Sequence, residues 1–217
     1  YTGTGGTSPS ATTIGHGLGV IPKAIIIRAR NRAEDWHWFH YSSGTGGFRG
    51  NEADAHNNNT VLGDTLPTSS VYKLGTDLRM NGGYNYVAYC FADVQGFSKF
   101  GDYYGNGQSA EGPFVYTGFK PSLVIIKNDE TGSRNFYMFD NARKPTNPNG
   151  LKFYGDTAGQ EANDQAIDMY SNGFRVIPNA LGSYGTSSTN HSAQRMVYWA
   201  WAENPFVSSE GTPTTAN

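Results

Sequence analysis

The chain is poor in several things, and each shortage closes off a class of protein. One cysteine, Cys90, stands in 217 residues, so no internal disulfide framework holds the fold. Asp, Glu, Lys and Arg together make up only 16%, below the roughly one quarter of an ordinary globular domain. The charges are dispersed, with 16 Lys and Arg against 18 Asp and Glu and a formal net charge of −2. A chain without a basic run or stripe carries no electrostatic footprint for nucleic acid or an anionic membrane. No apolar stretch approaches the ~18 residues of a spanning helix, so no membrane insertion is expected. G-x-S-x-G, H-E-x-x-H, P-loop and C-x-x-C patterns are absent, and no cofactor is expected. The chain opens at Tyr1 without an initiator Met or a signal-peptide pattern, which reads as an excised or processed piece of a longer protein.

Gly (28), Tyr (14) and Phe (12) are plentiful. Few charges with many aromatics is the opposite of a disordered composition, and it suits short strands joined by tight turns. The length is enough to bury a core without metals or disulfides. An internal repeat is visible. Tyr1-Thr2-Gly3-Thr4-Gly5 matches Tyr103-Tyr104-Gly105-Asn106-Gly107, and Pro22-Lys23-Ala24-Ile25-Ile26-Ile27-Arg28 matches Pro121-Ser122-Leu123-Val124-Ile125-Ile126-Lys127. Trp36-His37-Trp38-Phe39-His40 aligns with Phe136-Tyr137-Met138-Phe139-Asp140, and Val71-Tyr72-Lys73-Leu74 with Gly173-Phe174-Arg175-Val176. Val87-Ala88-Tyr89-Cys90-Phe91-Ala92 aligns with Val197-Tyr198-Trp199-Ala200-Trp201-Ala202. Matches in one order define a first repeat over 1–101, a second over 102–207 and a Ser/Thr/Pro-rich tail over 208–217.

The matched runs read as strands: β-branched, introduced by proline, or alternating with period two. In the last pair Val87, Tyr89 and Phe91 form a large face, expected to fill the core, against the small residues Ala88, Cys90 and Ala92. Cys90 reads as a small buried hydrophobe, since nothing in the run would lower its pKa. Only 159–170 is expected to hold a helical turn or two. Polar segments over 42–50, 53–60, 141–150 and 180–192 read as loops. The predicted fold is all-β, a β-sandwich or jelly-roll-like pair of repeats packed about a pseudo-twofold.

Motif chemistry is thin. Gly15-His16-Gly17-Leu18-Gly19 precedes a strand rather than a helix, so it reads as a sharp turn and not a dinucleotide loop. Glu52, Asp54 and His56 alternate as metal ligands on one strand face would, but beside Asn57-Asn58-Asn59 they read as a solvated loop; no metal is expected. Asn128-Asp129-Glu130-Thr131-Gly132 has calcium-loop polarity without the ligand spacing, and reads as a hairpin turn. Glu52, Asp54, Glu111 and Asp156 are the acids from which a glycosidase pair would be drawn, yet none stands out, and no catalytic residue is assigned. In Trp36-His37-Trp38-Phe39-His40-Tyr41 both faces are aromatic; core packing is the main reading and a sugar-stacking platform the second.

Several runs in combination resemble a known family: GHGLGVIPK over 15–23, YVAYCFADVQGFSKFG over 86–101 and GPFVYTGFKP over 112–121, with Ser171-Asn172-Gly173-Phe174 and Ala202-Glu203-Asn204-Pro205-Phe206. They resemble a recurrent domain of unknown function of tailed bacteriophages, found towards the C-terminus of large tail-fibre and other virion surface proteins. The resemblance implies an extracellular virion component that faces the host receptor and forms a homo-oligomer, a trimer. It transfers no catalytic or binding residues. The expected function is non-catalytic binding of a host cell-surface glycan or protein through loops. The alternatives are a structural or decoration module contacting other virion subunits, and a polysaccharide depolymerase. Loops on a rigid scaffold carry recognition, so the ligand-binding candidates are Arg49, Asn51, Glu52, Asp54, His56 and Asn57 in 49–64, with Tyr184 and His191 in 180–192.

Overall fold

The computed structural model describes residues 1–6, 12–56, 61–108, 111–132, 134–163, 166–177 and 189–205. The chain divides into two compact units, Tyr1–Ala92 and Asp93–Asn217. The first contains β1 (Thr13–Gly15), β2 (Ala24–Ala29), β3 (His37–His40), β4 (Phe48–Arg49), β5 (Val71–Lys73), a single helical turn α1 (Leu78–Asn81) and β6 (Tyr86–Phe91). The second contains β7 (Ser98–Tyr104), β8 (Phe114–Tyr116), β9 (Pro121–Asn128), β10 (Tyr137–Asp140), β11 (Lys152–Tyr154), β12 (Ala166–Tyr170), β13 (Gly173–Ile177) and β14 (Arg195–Ala202). Among the described residues these strands all pair antiparallel, as expected of an all-β sandwich.

Each unit is built of two layers around its own core. In the first, β4-β3-β2-β6 form one sheet and β1-β5 a second. Alternation sends Ile25, Ile27 and Ala29 of β2 and Phe39 of β3 inward, where they meet Tyr72 of β5, Leu62, Leu74 and Met80 of α1. Ile25, Ile27 and Phe39 are fully buried, each burial favouring the fold by about 1.5–3 kcal/mol. In the second unit, β11-β10-β9-β14-β7 face the three-stranded sheet β12-β13-β8. Tyr103, Val124, Ile126, Phe139, Met196 and Tyr198 from one sheet pack on Val115, Ile167, Met169, Phe174 and Val176 from the other.

The registers of the two larger sheets agree residue for residue with the sequence match. Ile27 pairs with Ala88 and with His37, and its counterpart Ile126 pairs with Tyr198 and Tyr137. Both units also carry the same clasp, at the matched segments 1–5 and 103–107. Gly3 N donates to Tyr84 O (2.9 Å) and Thr4 N to Asn81 Oδ1 (2.8 Å). Gly105 N donates to Gln194 O (3.0 Å) and Asn106 N to Asn190 Oδ1 (2.9 Å). Both asparagines are fully buried, so their side chains satisfy backbone groups that water cannot reach. A Cβ on Gly3 would lie 1.9 Å from Gly82 O, and one on Gly105 2.1 Å from His191 O. Glycine at both positions is required by close approach.

Three sequence expectations are corrected. Residues 166–170, within the stretch expected to be helical, form β12, with Ile167 and Met169 inward. Among the described residues the helical turns are instead a 3-10 turn at Tyr41–Ser43 and α1, whose N-cap Asp77 accepts from Arg79 N (2.9 Å). On β6 the small face points to the core: Ala88 and Cys90 pack against it, while Tyr89 is 50% exposed. The 101/102 repeat boundary falls inside β7, which pairs along its whole length with β14 and therefore belongs to the second unit.

Candidate functional site

The three-stranded sheet of the second unit turns three exposed aromatic rings outward. Val115, Phe174, Val176, Ile167 and Met169 point to the core, so their neighbours along each strand point away. Register then lines these neighbours up in two rows across the sheet. One row is Tyr116–Gly173–Tyr170 and the other Phe114–Arg175–Asp168. Tyr116 is 67% exposed, Phe114 48% and Tyr170 39%. Aromatic rings gathered on one sheet face and rimmed by polar groups form the kind of contiguous exposed patch that marks an interaction surface.

Gly173 forms the floor between the two tyrosines. A Cβ there would lie 2.1 Å from Val115 O and 2.9 Å from the Phe114 ring. Phe114 meets Tyr170 edge to face at 5.9 Å. Gly112, Phe114, Tyr170, Asn172 and Arg175 line an open concavity of about 390 Å³. Its polar rim is held in place: Tyr170 Oη donates to Asp168 Oδ2 (3.1 Å), Arg175 pairs with Glu111 (2.8 Å), and Arg175 Nε donates to Gly112 O (3.4 Å). Partial burial and the Asp168 carboxylate raise the Tyr170 phenol above its ordinary pKa, so it is a neutral donor at physiological pH. The arrangement offers flat apolar faces with hydrogen-bonding groups beside them. It presents no activated nucleophile.

The candidate loop residues of the first unit are gathered, but around one another. Arg49, at the end of β4, pairs with Asp54, with Glu52 at 3.7 Å and with Asp35 at 3.9 Å. Asn51 Nδ2 donates to Asp35 Oδ1 (2.8 Å) and Asn51 Oδ1 accepts from Trp36 N (3.1 Å). This knot of one guanidinium and three carboxylates ties the loop to the start of β3. His56 meets Phe48 edge to face at 5.6 Å. Residues 52–56 are not strand, so the alternation of Glu52, Asp54 and His56 does not put them on one face, and two of the three carry ion pairs to Arg49. Among the described residues no group of three His, Cys, Asp or Glu is disposed to share a metal ion. Asn57 and Tyr184 lie outside the described residues. His191 belongs to the other unit, next to the Asn190 clasp, its Nδ1 3.2 Å from Ser192 O.

Of the other acids singled out, Glu111 serves the rim of the aromatic face. Asp156 accepts from Asn135 Nδ2 (3.1 Å) and Phe136 N (3.3 Å), and burial raises its pKa. Of the aromatic stretch, His37, Phe39 and His40 are buried, and Trp36 and Trp38 partly so. His40 Nδ1 accepts from Ser42 N (3.3 Å), and burial with the nearby Arg79 lowers the His37 pKa. Asn128 Oδ1 accepts from Glu130 N (2.9 Å) and Thr131 N (2.8 Å), closing the turn expected there. Sequence reading missed Phe114, Tyr116, Tyr170, Asn172 and Arg175. The signal was present as Phe114-Val115-Tyr116 and Asp168-Met169-Tyr170, where one aliphatic residue sits between two polar or aromatic ones.

Fold and site together define an all-β module of two units, with an exposed, polar-rimmed aromatic face on one sheet of the second. The chain belongs to a family described as a domain of unknown function (DUF7483), whose model matches residues 1–205. No curated protein and no solved structure matches it.

Proposed function

We propose that the protein is a non-catalytic recognition domain of the bacteriophage tail-fibre type, displayed on the virion surface, that binds host surface glycan across the outward face of β12, β13 and β8. The observation that carries this reading is the row Tyr116–Gly173–Tyr170, two exposed rings either side of a residue with no side chain. Sugar rings carry C–H faces that stack on aromatics and hydroxyls that need partners at the edge. Arg175, Asn172 and Asp168 supply such partners in both polarities. Because the rings stand on paired strands, little ordering entropy is lost on binding. The resemblance in the runs 15–23, 86–101 and 112–121 supports the virion setting.

Binding of the 217-residue chain to host cells and to arrayed surface polysaccharides tests the proposal. Tyr116→Ala and Tyr170→Ala should each weaken binding about tenfold, equivalent to about 1.4 kcal/mol. Unchanged binding in both variants would overturn it, and release of reducing ends from the polysaccharide would replace it with a depolymerase.

A further inference from the structure

The two units differ at one sheet edge. In the second, β14 is flanked on its far side by β7, from Ser98 opposite Trp201 to Tyr104 opposite Arg195. In the first, the counterpart of β14 is β6, and among the described residues it is flanked only at its start. Tyr86 N donates to Tyr1 O (2.8 Å), the Tyr1 amine donates to Tyr86 O (3.1 Å), and Thr2 bridges Asn85. β6 ends its sheet in the order β4-β3-β2-β6. Antiparallel pairing alternates direction along a strand. Since Tyr86 turns its N–H and C=O to this edge, Ala88 and Cys90 turn theirs the same way.

A cleft lies along that edge. Tyr1, Ile14, Gly15, His16, Tyr72, Ala88 and Cys90 enclose about 250 Å³, where a cavity of about 150 Å³ already takes a benzene ring. In the second unit the matching space is filled. Tyr198, the counterpart of Ala88, packs at 5.4 Å on Phe174, the counterpart of Tyr72. Opposite Tyr198 the flanking strand carries Gly101, where a Cβ would come 2.8 Å from the Tyr198 hydroxyl. Large-on-sheet with small-on-edge in one unit becomes small-on-sheet in the other, where no described residue lies on the edge opposite Ala88. Tyr72 is 1% exposed and its hydroxyl has no hydrogen-bond partner among the described residues.

We propose that the β6 edge of the first unit is an acceptor for one further antiparallel strand, running into Tyr1 as Ser98–Asp102 runs into Tyr103, with a bulky side chain two positions before Tyr1 that fills the cleft beside Tyr72. Such a strand meets the Ala88 and Cys90 backbone groups and restores the packing its counterpart enjoys.

Hydrogen exchange on the 217-residue chain and on chains extended before Tyr1 by Ser-Lys-Phe-Xaa-Asp tests this. With Xaa as Phe, exchange at the Ala88 and Cys90 amides should slow at least tenfold and the melting temperature should rise, and Xaa as Gly should do less. In Ala88→Tyr the preference should reverse, Gly at Xaa outperforming Phe. The same five-residue peptide added free should protect far less than the joined one. Unaltered exchange in every extended chain would overturn the proposal. Concentration-dependent protection of those amides in the unextended chain would overturn it in favour of edge pairing between two copies.

Discussion

Lys127 shows what one residue can conceal in a strand pattern. By sequence it closes an aliphatic run, as Arg28 does in the first repeat. Both cations sit over the matching aromatic ring, Arg28 4.8 Å above Trp36 and Lys127 5.0 Å above Phe136. Lys127, however, is fully buried and donates to Arg134 O. Burial lowers its pKa to about 8, so the folded state releases this proton near pH 8 while the unfolded chain holds it to the ordinary lysine value. Below pH 8 the charged form is a cost to the fold, and that cost fades as pH rises towards 10. Lys127→Met should stabilise the protein by about 2 kcal/mol at pH 7 and flatten the rise of stability between pH 8 and 10. Denaturant titrations at several pH values check both. A variant with unchanged stability and an unchanged slope would mean the ammonium is solvated. No sequence signal announced this burial, because β9 is covered on both faces here: Ile126, which faces the core, and Lys127, which points the other way, are both fully buried.

At the scale of strands and turns, sequence reading located most elements through β-branched runs, proline starts and period-two alternation. It failed where alternation leaves a choice open. Val87-Ala88-Tyr89-Cys90-Phe91 has two faces, and pattern alone favours burying the larger. The choice is made by pairing: Ile25 and Ile27 of β2 point to the core and lie opposite Cys90 and Ala88, so the small residues go inward with them. The stretch 159–170 misled for another reason, since five alternating residues are too few to outweigh a composition without β-branched runs. Gly173 falls in a matched run read as a strand, and it does open β13, but the pattern gave no reason for a glycine there; the reason is that no side chain fits beside Val115 O. Gly173→Ala should destabilise the second unit by about 2 kcal/mol through its clash with Val115 O, and should blunt glycan binding by raising the floor between Tyr116 and Tyr170. Thermal melting alongside the binding assay checks this, and a variant that melts and binds like the parent would refute the account of the floor.

For the molecule as a whole, the repeat was legible because five matched runs occur in one order, and the registers of β2, β3 and β6 agree with those of β9, β10 and β14 at the matched residues. The candidate site was far less legible. Arg49, Asn51, Glu52 and Asp54 drew attention as polar loop residues, and they are occupied in holding the loop to Asp35 and Trp36. Recognition surfaces on a sheet arise from rows across strands distant in sequence, and Tyr116, Gly173 and Tyr170 come together only through register. The most direct measurement is a residue-resolved map of chemical-shift perturbation on adding oligosaccharides of the host surface. The account predicts changes centred on Phe114, Tyr116, Tyr170, Asn172 and Arg175, with the Arg49 cluster silent. Changes centred on Arg49, Glu52 and Asp54, with the three aromatic residues unmoved, would contradict it.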